Sequence, residues 1–209
     1  MKRKLKISFD IDDVLADFVG TLVRFYNKVY DKDIQFEDVN TWTLYETLSE
    51  LKDAEGQKIF VEAFMRHPEF EYLAPNLDFV LAAQALAEDH DIHFITSRSS
   101  KSIDTTYKWL HFFGLPINQV HFNKDKGWLV RHLEIDVHID DGRHNLERIH
   151  MMCGSRTKLF LVDRPWNSQR DAFDEIDIWT RIDNPSEIFK YIEEQEKIDE
   201  DNSDKQGTA

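Results

Sequence analysis

The stretch ISFDIDDVLADF, residues 7–18, places four aspartates within eight positions, directly behind a short apolar run. They are Asp10, Asp12, Asp13 and Asp17. The apolar run predicts a buried strand, so Asp10 and Asp12 would stand at its end. Like charges in a buried position repel each other strongly unless a cation neutralises them. The stretch therefore predicts a site that holds positive charge at the end of the first strand.

Five further short apolar runs follow this strand, and helix-length segments lie between them. The runs are IHFI (92–95), QVHF (119–122), IDVHI (135–139), KLFLV (158–162) and IDIWTRI (176–182). Residues 76–89 have apolar residues near helical spacing, and a second helical segment would end at Gly114-Leu115-Pro116. Alternating strands and helices predict an α/β fold, in which helices cover both faces of a mostly parallel sheet.

Residues 17–75 interrupt this alternation. The segment begins with FVGTLVRFYNKVY (18–30), whose apolar residues have helical spacing, and continues with an aromatic-rich stretch that contains no obvious strand. We therefore predict a small helical cap domain at residues 17–75, inserted after the first strand. The α/β core domain would then consist of residues 1–16 and 76–192.

Composition and charge limit the classes of protein to which the chain could belong. With 209 residues, of which 41% are hydrophobic, the chain can bury a full core. The formal net charge of −14 argues against binding to a nucleic acid polymer, which requires a surplus of lysine and arginine. Part of the negative charge lies in residues 193–209, an acidic tail that we predict to be a fraying helix end followed by disorder.

The cysteine content and the hydropathy of the sequence indicate the cellular compartment in which we expect the protein. The single cysteine, Cys153, cannot form an internal disulfide, and no stretch is apolar enough to span a membrane. We therefore expect a soluble, cytoplasmic protein that has no membrane partner.

Polar residues follow several of the predicted strands, at the point where each strand ends. They are Thr96 and Ser97 after the second strand, Lys124 and Lys126 after the third, and Asp140-Asp141 at the end of the fourth. Ligands of an open parallel sheet bind outside the carboxyl ends of its strands. These side chains should therefore converge with Asp10 and Asp12 at one edge of the sheet.

This combination of residue types is suited to a metal ion and a phosphate group. The carboxylates of Asp10 and Asp140, with Asp141 and a backbone carbonyl, make an oxygen-ligand site of the kind that binds Mg²⁺. Lys126 supplies a second positive charge, and Thr96 with nearby backbone N–H groups can donate to phosphate oxygens. The sequence thus predicts phosphoryl chemistry at this edge.

Two of the aspartates are suited to the reaction itself. With a metal ion bound, Asp10 can attack phosphorus as a nucleophile. Asp12, two residues further on, can protonate the leaving oxygen and later activate water.

The same residues resemble, in order along the chain, the four motifs of the haloacid dehalogenase (HAD) superfamily of aspartyl-phosphate hydrolases. The matching segments are Asp10-Ile11-Asp12 with Val14-Leu15, then Thr96, Lys126 and Asp140-Asp141. Within the superfamily, DIDDVLADF and DKGWLV…IDD are similar to the 5'(3')-deoxyribonucleotidase branch. The resemblance spans about residues 5–165 and implies a Rossmann-like fold with a small helical cap at residues 17–75.

The resemblance implies roles for the matching residues. Asp10 would be the nucleophile and Asp12 the acid/base. Phosphate would be bound by Thr96 and Lys126, and we add Ser97 because its hydroxyl directly follows Thr96. The implied Mg²⁺ ligands are Asp10, Asp12 through its backbone carbonyl, and Asp140, with Asp141 beside them.

The resemblance also concerns the substrate. Phe18 falls where the family stacks an aromatic ring on the base, and Lys124 falls where it often places a basic residue near the substrate. Asp13 departs from the pattern, because the branch usually has glycine at this position, and it adds negative charge near the metal. The segment DRPWN (163–167) resembles a turn of bacterial relatives, and we assign it no role from the sequence.

Several other residues are interpreted as structural. Trp42, Tyr45 and Phe64 are assigned to the core of the cap rather than to a platform for the base. Arg98 is interpreted as a solvated loop residue, and Cys153 as buried and inert. The nine histidines lack the spacing of paired metal ligands, so all are regarded as structural or exposed.

The leading interpretation is a Mg²⁺-dependent phosphomonoesterase that hydrolyses (deoxy)nucleoside monophosphates through an aspartyl-phosphate intermediate. An alternative is a HAD phosphatase for another small phosphorylated metabolite, because a fold alone does not determine the substrate. A phospho-accepting signalling domain combines similar residues, but its acidic pair follows its first strand, whereas Asp140-Asp141 comes last here. A non-catalytic binding domain is a further alternative, against which the complete set of acidic residues argues.

Overall fold

The computed structural model describes residues 3–169 and 177–206, and a six-stranded sheet forms its centre. The strands are β1 (Lys6–Phe9), β2 (Asp91–Thr96), β3 (Val120–Phe122), β4 (Val137–Asp140), β5 (Lys158–Val162) and β6 (Thr180–Ile182). Their order is β3-β2-β1-β4-β5-β6, and every neighbouring pair is parallel. The predicted α/β fold with a parallel sheet is confirmed.

Helices connect these strands. They are α1 (Phe18–Tyr30), α2 (Ala54–Phe64), α3 (Pro68–Glu71), α4 (Leu77–Leu86), α5 (Ile103–Phe112), α6 (Lys126–Leu133), α7 (Arg143–Cys153) and α8 (Ser186–Gln206). Helix α1 begins at the predicted residue because the Asp17 carboxylate accepts a hydrogen bond from the Gly20 N–H at 3.0 Å. Asp125 caps α6 in the same way, accepting from the Trp128 N–H at 3.0 Å.

Apolar clusters cover both faces of the sheet. Along β5, Leu159 and Leu161 pack in one cluster, while Phe160 and Val162 pack in the other. This alternation follows from the twofold side-chain period of a strand. Because each face is covered, the strand is buried on both sides, as the near-continuous apolar run of its sequence predicts.

The strand order reverses beside β1. The chain passes from β1 to β2 on one side and later returns to β4 on the other side of β1. The Asp10 N–H donates to the Ile139 carbonyl at 2.9 Å, which ties the end of β1 to β4. Asp10 follows β1 directly and Asp140 is the last residue of β4. Both therefore stand at the crevice where open α/β sheets bind their ligands.

Residues 17–75, which we call the insertion, are helical as predicted. They contain α1, α2, α3 and three short 3₁₀ turns, and no strand lies within them. Two hydrogen bonds of 2.8 Å join the ends of the insertion, from the Asp17 N–H to the Ala74 carbonyl and from the Asn76 N–H to the Leu15 carbonyl. Its aromatic residues share one apolar cluster with β1. The division into a core domain and a cap domain stays a prediction.

Helix α8 continues to Gln206. The disorder predicted for the end of residues 193–209 stays a prediction, and residues 207–209 lie outside the described part. One expectation from the sequence differs from the structure. Cys153 is half-buried at the edge of the second apolar cluster, not fully buried. Among the described residues, no helix has the length and apolarity that a membrane span requires.

Candidate active site

A cavity of about 280 Å³ lies between the sheet edge and the insertion. The residues that we call the acidic floor are Asp10, Asp12, Asp13, Lys126 and Asp141, which line it, and Asp140 beside them. The residues that we call the apolar wall come from the insertion and are Phe18, Val19, Trp42, Leu44 and Val61. The predicted convergence of strand-end residues is thus present in the structure.

Lys126 is the central cation of the acidic floor. Its Nζ lies 2.8 Å from Asp10 Oδ2 and 2.7 Å from Asp140 Oδ2, and its side chain is almost fully buried. Burial by itself would lower the pKa of Lys126, but the carboxylates of Asp10 and Asp140 raise it above its usual value. The residue therefore carries a positive charge that both aspartates share.

Asp140 is fixed by several further hydrogen bonds. Its Oδ1 accepts from the Gly142 N–H at 2.8 Å and from Asn145 Nδ2 at 3.1 Å. A Cβ atom at Gly142 would lie 2.7 Å from Asn145 Nδ2, so a larger residue would displace the Asn145 amide from this position. Burial would raise the pKa of Asp140, but Lys126 and His138 hold it well below the usual range. Asp140 is therefore a carboxylate.

A buried polar pair lies behind Asp140. His138 Nε2 is 3.1 Å from Asp140 Oδ2, and His138 Nδ1 is 2.7 Å from Ser8 Oγ. Burial lowers the pKa of His138. A neutral ring with its proton on Nε2 can donate to Asp140 while it accepts from Ser8. His138 is thus a buried residue that contacts the acidic floor through Asp140.

The acidic floor carries more carboxylates than cations. The five aspartates face two buried cations, Lys126 and Arg98. Burial raises the pKa of Asp10 to about 7, and burial together with neighbouring carboxylates raises the pKa values of Asp13 and Asp141 well above the usual range. These shifts indicate a shortage of positive charge at the floor.

The donor set of the floor fits a hard divalent cation. One oxygen atom from each of Asp10, Asp140 and Asp141 lies within 4.8 Å of the others. Carboxylate oxygens of this kind are the ligands that Mg²⁺ prefers, and a divalent ion would supply the missing positive charge.

Arg98 was interpreted wrongly as a solvated loop residue. Its side chain is 2% exposed, and its Nε and Nη2 atoms lie 3.0 and 2.5 Å from the Asp12 carboxylate. Its Nη1 donates to Thr106 Oγ1 at 3.0 Å, and its guanidinium lies 4.8 Å from the centre of the Phe70 ring. Arg98 therefore fixes the orientation of Asp12.

The other predicted site residues have different surroundings. Thr96 is fully buried, and its hydroxyl accepts from the Arg98 N–H at 3.1 Å, whereas Ser97 lines the cavity. Phe18 lines the cavity and packs edge-to-face on Phe64. Lys124 is exposed and is not among the residues that line the cavity.

Trp42 does not belong to the core of the insertion, contrary to the interpretation of the sequence. It is 52% exposed, lines the cavity and meets the ring of His144 at a centroid distance of 4.7 Å. The assignment of Phe64 to the core is correct, because this residue is fully buried.

The backbone of Asp13 adopts a conformation that favours glycine, the residue expected at this position from the resemblance. Its φ angle is +58°, in the left-handed region, which aspartate tolerates better than most residues. Its Oδ1 accepts from the Val19 N–H at 2.9 Å, at the first turn of α1. The carboxylate thus links the loop after β1 to the helix that carries Phe18.

Sequence reasoning missed three residues of the site. His144, Asn145 and Trp166 all line the cavity. His144 and Asn145 lie within five residues of Asp140, and Trp166 follows β5 at the same sheet edge. The rule that strand ends converge could have identified them, because it applies to the fifth strand as well as to the first four.

Relatives of known name match most of the chain. A protein of Bacillus subtilis named 5'(3')-deoxyribonucleotidase is 23% identical over 188 residues, which cover 86% of this chain and 97% of that protein. A protein of the same name from Bacillus phage SPbeta matches to the same extent, with 23% identity over 188 residues.

Solved structures of HAD hydrolases share the fold. A haloacid dehalogenase-like hydrolase of Streptococcus pneumoniae has a TM-score of 0.60 at 10% identity and covers 90% of this chain and 98% of its own. A HAD-superfamily hydrolase of Geobacter sulfurreducens has a TM-score of 0.59 at 15% identity, with coverages of 91% and 97%.

A family model covers nearly the whole described chain. It is the model of the family "5' nucleotidase, deoxy (Pyrimidine), cytosolic type C protein", and it matches residues 3–188. The match includes all strands of the sheet, the insertion and the complete acidic floor. The chain therefore belongs to this nucleotidase family and is a hydrolase with the HAD fold.

Proposed function

We propose that this hydrolase is a Mg²⁺-dependent phosphomonoesterase that acts on (deoxy)nucleoside monophosphates through an aspartyl-phosphate intermediate. The observation that carries the proposal is the position of Asp10, which is buried at the cavity floor 2.8 Å from Lys126 and groups with Asp140 and Asp141. Membership of the nucleotidase family and the names of the Bacillus relatives support a nucleotide as the substrate.

Asp10 is the proposed nucleophile. One of its oxygens attacks phosphorus to form an aspartyl phosphate, and the bond between phosphorus and the leaving ester oxygen breaks. The Ile11 N–H donates to Asp10 Oδ1 at 2.7 Å, and Lys126 binds Oδ2, so the carboxylate is oriented before substrate binds. Lys126 and Ser97 are the proposed phosphate-binding residues that line the cavity. The hydroxyl of Thr96 accepts from the Arg98 N–H, and the predicted contact of Thr96 with phosphate stays a prediction.

Asp12 is the proposed acid/base. It would donate a proton to the leaving oxygen in the first step and take one from the water that hydrolyses the aspartyl phosphate in the second. The ion pair with Arg98 fixes the direction of its carboxylate.

Asp10, Asp140 and Asp141 are the proposed side-chain ligands of Mg²⁺, with the backbone carbonyl of Asp12 as a further ligand. When bound, Mg²⁺ would offset the negative charge of the floor and of the phosphate group. The oxygen donors and the raised pKa values of Asp10 and Asp141 support this assignment.

The apolar wall is the proposed binding surface for the organic part of the substrate. Phe18 and Trp42 present aromatic rings to the cavity, which suits a planar group such as a nucleobase. The role of Lys124 near the substrate stays a prediction. Another small phosphorylated metabolite is the alternative substrate, because the floor binds the phosphate whichever alcohol it carries.

The experiment that tests the proposal is a measurement of phosphate release. The substrates are a panel of ribo- and deoxyribonucleoside monophosphates and sugar phosphates, each with Mg²⁺ and with a chelator. We expect Mg²⁺-dependent release from nucleotides, and none from the Asp10→Asn variant. Circular dichroism should show that this variant keeps its fold, because asparagine has nearly the same volume.

Asp17→Asn is the matched control. Asp17 lies outside the cavity and caps α1, a role that asparagine also performs, so this variant should retain activity. Release from sugar phosphates alone would contradict the proposal that the substrate is a nucleotide, but it would be consistent with the proposed mechanism. Equal release from Asp10→Asn and wild type would contradict the mechanism itself.

A further inference from the structure

The turn that follows β5 contacts both acidic segments of the floor. It is a single 3₁₀ turn, Pro165–Asn167, and it belongs to the DRPWN segment, to which the sequence alone gave no role. Trp166 lies within it, is 9% exposed and lines the cavity. The contacts of this turn give it a function that rests on the proposed metal site.

The side chain of Trp166 binds Asp141. The indole Nε1–H donates to Asp141 Oδ2 at 2.8 Å, and Asp141 is 2% exposed. A buried carboxylate oxygen without a donor would be costly, so this hydrogen bond restricts the direction in which Asp141 points. The indole is also neutral. It orients Asp141 without neutralising it, in contrast to Lys126, whose charge is shared by Asp10 and Asp140.

The neighbours of Trp166 hold the backbone of the floor. Asn167 Nδ2 donates to the Asp141 carbonyl at 2.9 Å and to the Val162 carbonyl at 2.8 Å. Arg164 Nε donates to the carbonyl of Asp13 at 2.8 Å. The turn is therefore hydrogen-bonded to the loop after β1 and to the loop after β4 at the same time.

The turn itself is held in place from the opposite side. Arg181 Nη2 donates to the Asn167 carbonyl at 2.8 Å, and the Arg164 N–H donates to Asn167 Oδ1 at 3.0 Å. Proline at position 165 restricts the backbone further. A donor on a fixed turn can position a carboxylate more firmly than a donor on a mobile loop.

We infer that Trp166 is a positioning residue for the metal site: its indole N–H fixes the Asp141 carboxylate and thereby sets the affinity of the floor for a divalent cation. Asp141 is then held in one direction by a neutral donor on a fixed turn. Trp166 itself does not bind the ion. Its substitution should therefore change the dissociation constant for the divalent cation.

The test uses Mn²⁺ alone as the probe, titrated into the full chain without substrate. The Trp166→Phe variant keeps an aromatic ring and removes the N–H. Loss of a partner that orients a metal ligand typically weakens binding by 10- to 100-fold, so we expect a dissociation constant about tenfold higher or more. Electron paramagnetic resonance of free Mn²⁺ measures this constant directly, and the Mg²⁺ concentration for half-maximal activity should rise in parallel.

Trp109→Phe is the matched control. Trp109 is also buried, and its Nε1 donates at 2.8 Å to the Leu73 carbonyl, outside the cavity. This variant should lose stability to a similar extent and bind Mn²⁺ as wild type does. Equal affinities in Trp166→Phe and wild type would overturn the inference, and so would equal losses in both tryptophan variants.

Asn167→Ser is a second variant in case Trp166→Phe does not fold. It removes the amide that donates to the Asp141 carbonyl and leaves the indole in place, so we expect a smaller loss of Mn²⁺ affinity. An unchanged affinity in this variant would count against the inference. If wild type binds no Mn²⁺, the proposed metal site fails and the inference fails with it, whereas binding by wild type with no effect of either substitution refutes the inference alone.

Discussion

The acidic floor and the apolar wall face the same cavity but are built in opposite ways. Each carboxylate of the floor has hydrogen-bond partners from other parts of the chain, such as Lys126 for Asp10 and Arg98 for Asp12. The wall comes from the insertion, where Phe18 is half-buried and Trp42 is 52% exposed. A dense polar network permits few arrangements, whereas apolar contacts tolerate substitution. We therefore expect that the floor determines the chemistry and that the wall determines which substrate is accepted.

Substitution of Lys126 should have the largest effect. Lys126→Met leaves two buried carboxylates without their shared cation, and breaking such a pair typically costs about 3–5 kcal/mol of unfolding free energy. Loss of a charged donor at the phosphate site should also lower kcat by roughly 10²- to 10³-fold. Urea unfolding and phosphate release measure the two effects.

Lys124→Met is the control for this prediction. Lys124 lies two residues earlier and is exposed, so its substitution should change stability by less than about 0.5 kcal/mol. If both lysine variants have the same unfolding free energy and the same kcat, the floor does not depend on a buried cation. That result would contradict the proposed difference between the floor and the wall. A change of KM in Lys124→Met without a change in stability would instead support its predicted place near the substrate.

Substitution of Arg98 should have an intermediate effect. Arg98→Lys keeps the charge but loses the two-point contact with Asp12, so the acid/base would no longer be held in one direction. We expect kcat to fall by about 10- to 100-fold with little change in KM. Steady-state kinetics on the best nucleotide substrate measure this split.

Arg24→Lys is the matched control, because Arg24 pairs with Asp17 at 3.1 Å on the surface. Exposed ion pairs contribute little to stability, and this pair lies away from the cavity, so kcat and KM should stay at their wild-type values. A larger rise in KM than loss of kcat for Arg98→Lys would show that Arg98 binds substrate rather than positions Asp12.

Substitution of Trp42 should have the smallest effect, and it should depend on the substrate. Trp42→Ala removes an aromatic surface from the wall, which is worth about 0.5–1.5 kcal/mol and corresponds to a rise in KM of roughly 2- to 12-fold for nucleotides. Sugar phosphates lack a base, so their KM should not change. Tyr72→Ala, which alters an exposed aromatic residue of the insertion outside this cavity, is the control. Equal losses of kcat on all substrates would refute the separation of floor and wall.

The sheet and the floor could be predicted from the sequence because both follow from local rules. Apolar runs gave the strands, and Asp10, Lys126 and Asp140 were found because polar residues after parallel strands converge. In each case, the position of the residue after a predicted strand was sufficient to identify it. The helical character of the insertion followed in the same way from the spacing of apolar residues in α1.

The remaining features depend on contacts between distant parts of the chain. Arg98 is buried because Asp12, 86 positions earlier, meets its guanidinium, and no local pattern contains that information. Trp166 reaches Asp141 across 25 positions. Ile188 and Ile192, at the beginning of α8, pack in the apolar cluster that contains β1, although they lie far from it along the chain.

The contact between Trp166 and the insertion has a thermodynamic consequence. Phe36, in the insertion, meets the Trp166 ring edge-to-face at a centroid distance of 5.5 Å, and Nε1 of the same indole donates to Asp141. A substrate that shifts the insertion against Trp166 would therefore change the free energy of ion binding at the floor. Linkage makes this coupling reciprocal, so the ion would change the affinity for substrate by the same factor. One tryptophan would thus couple the binding of the ion to the binding of the substrate.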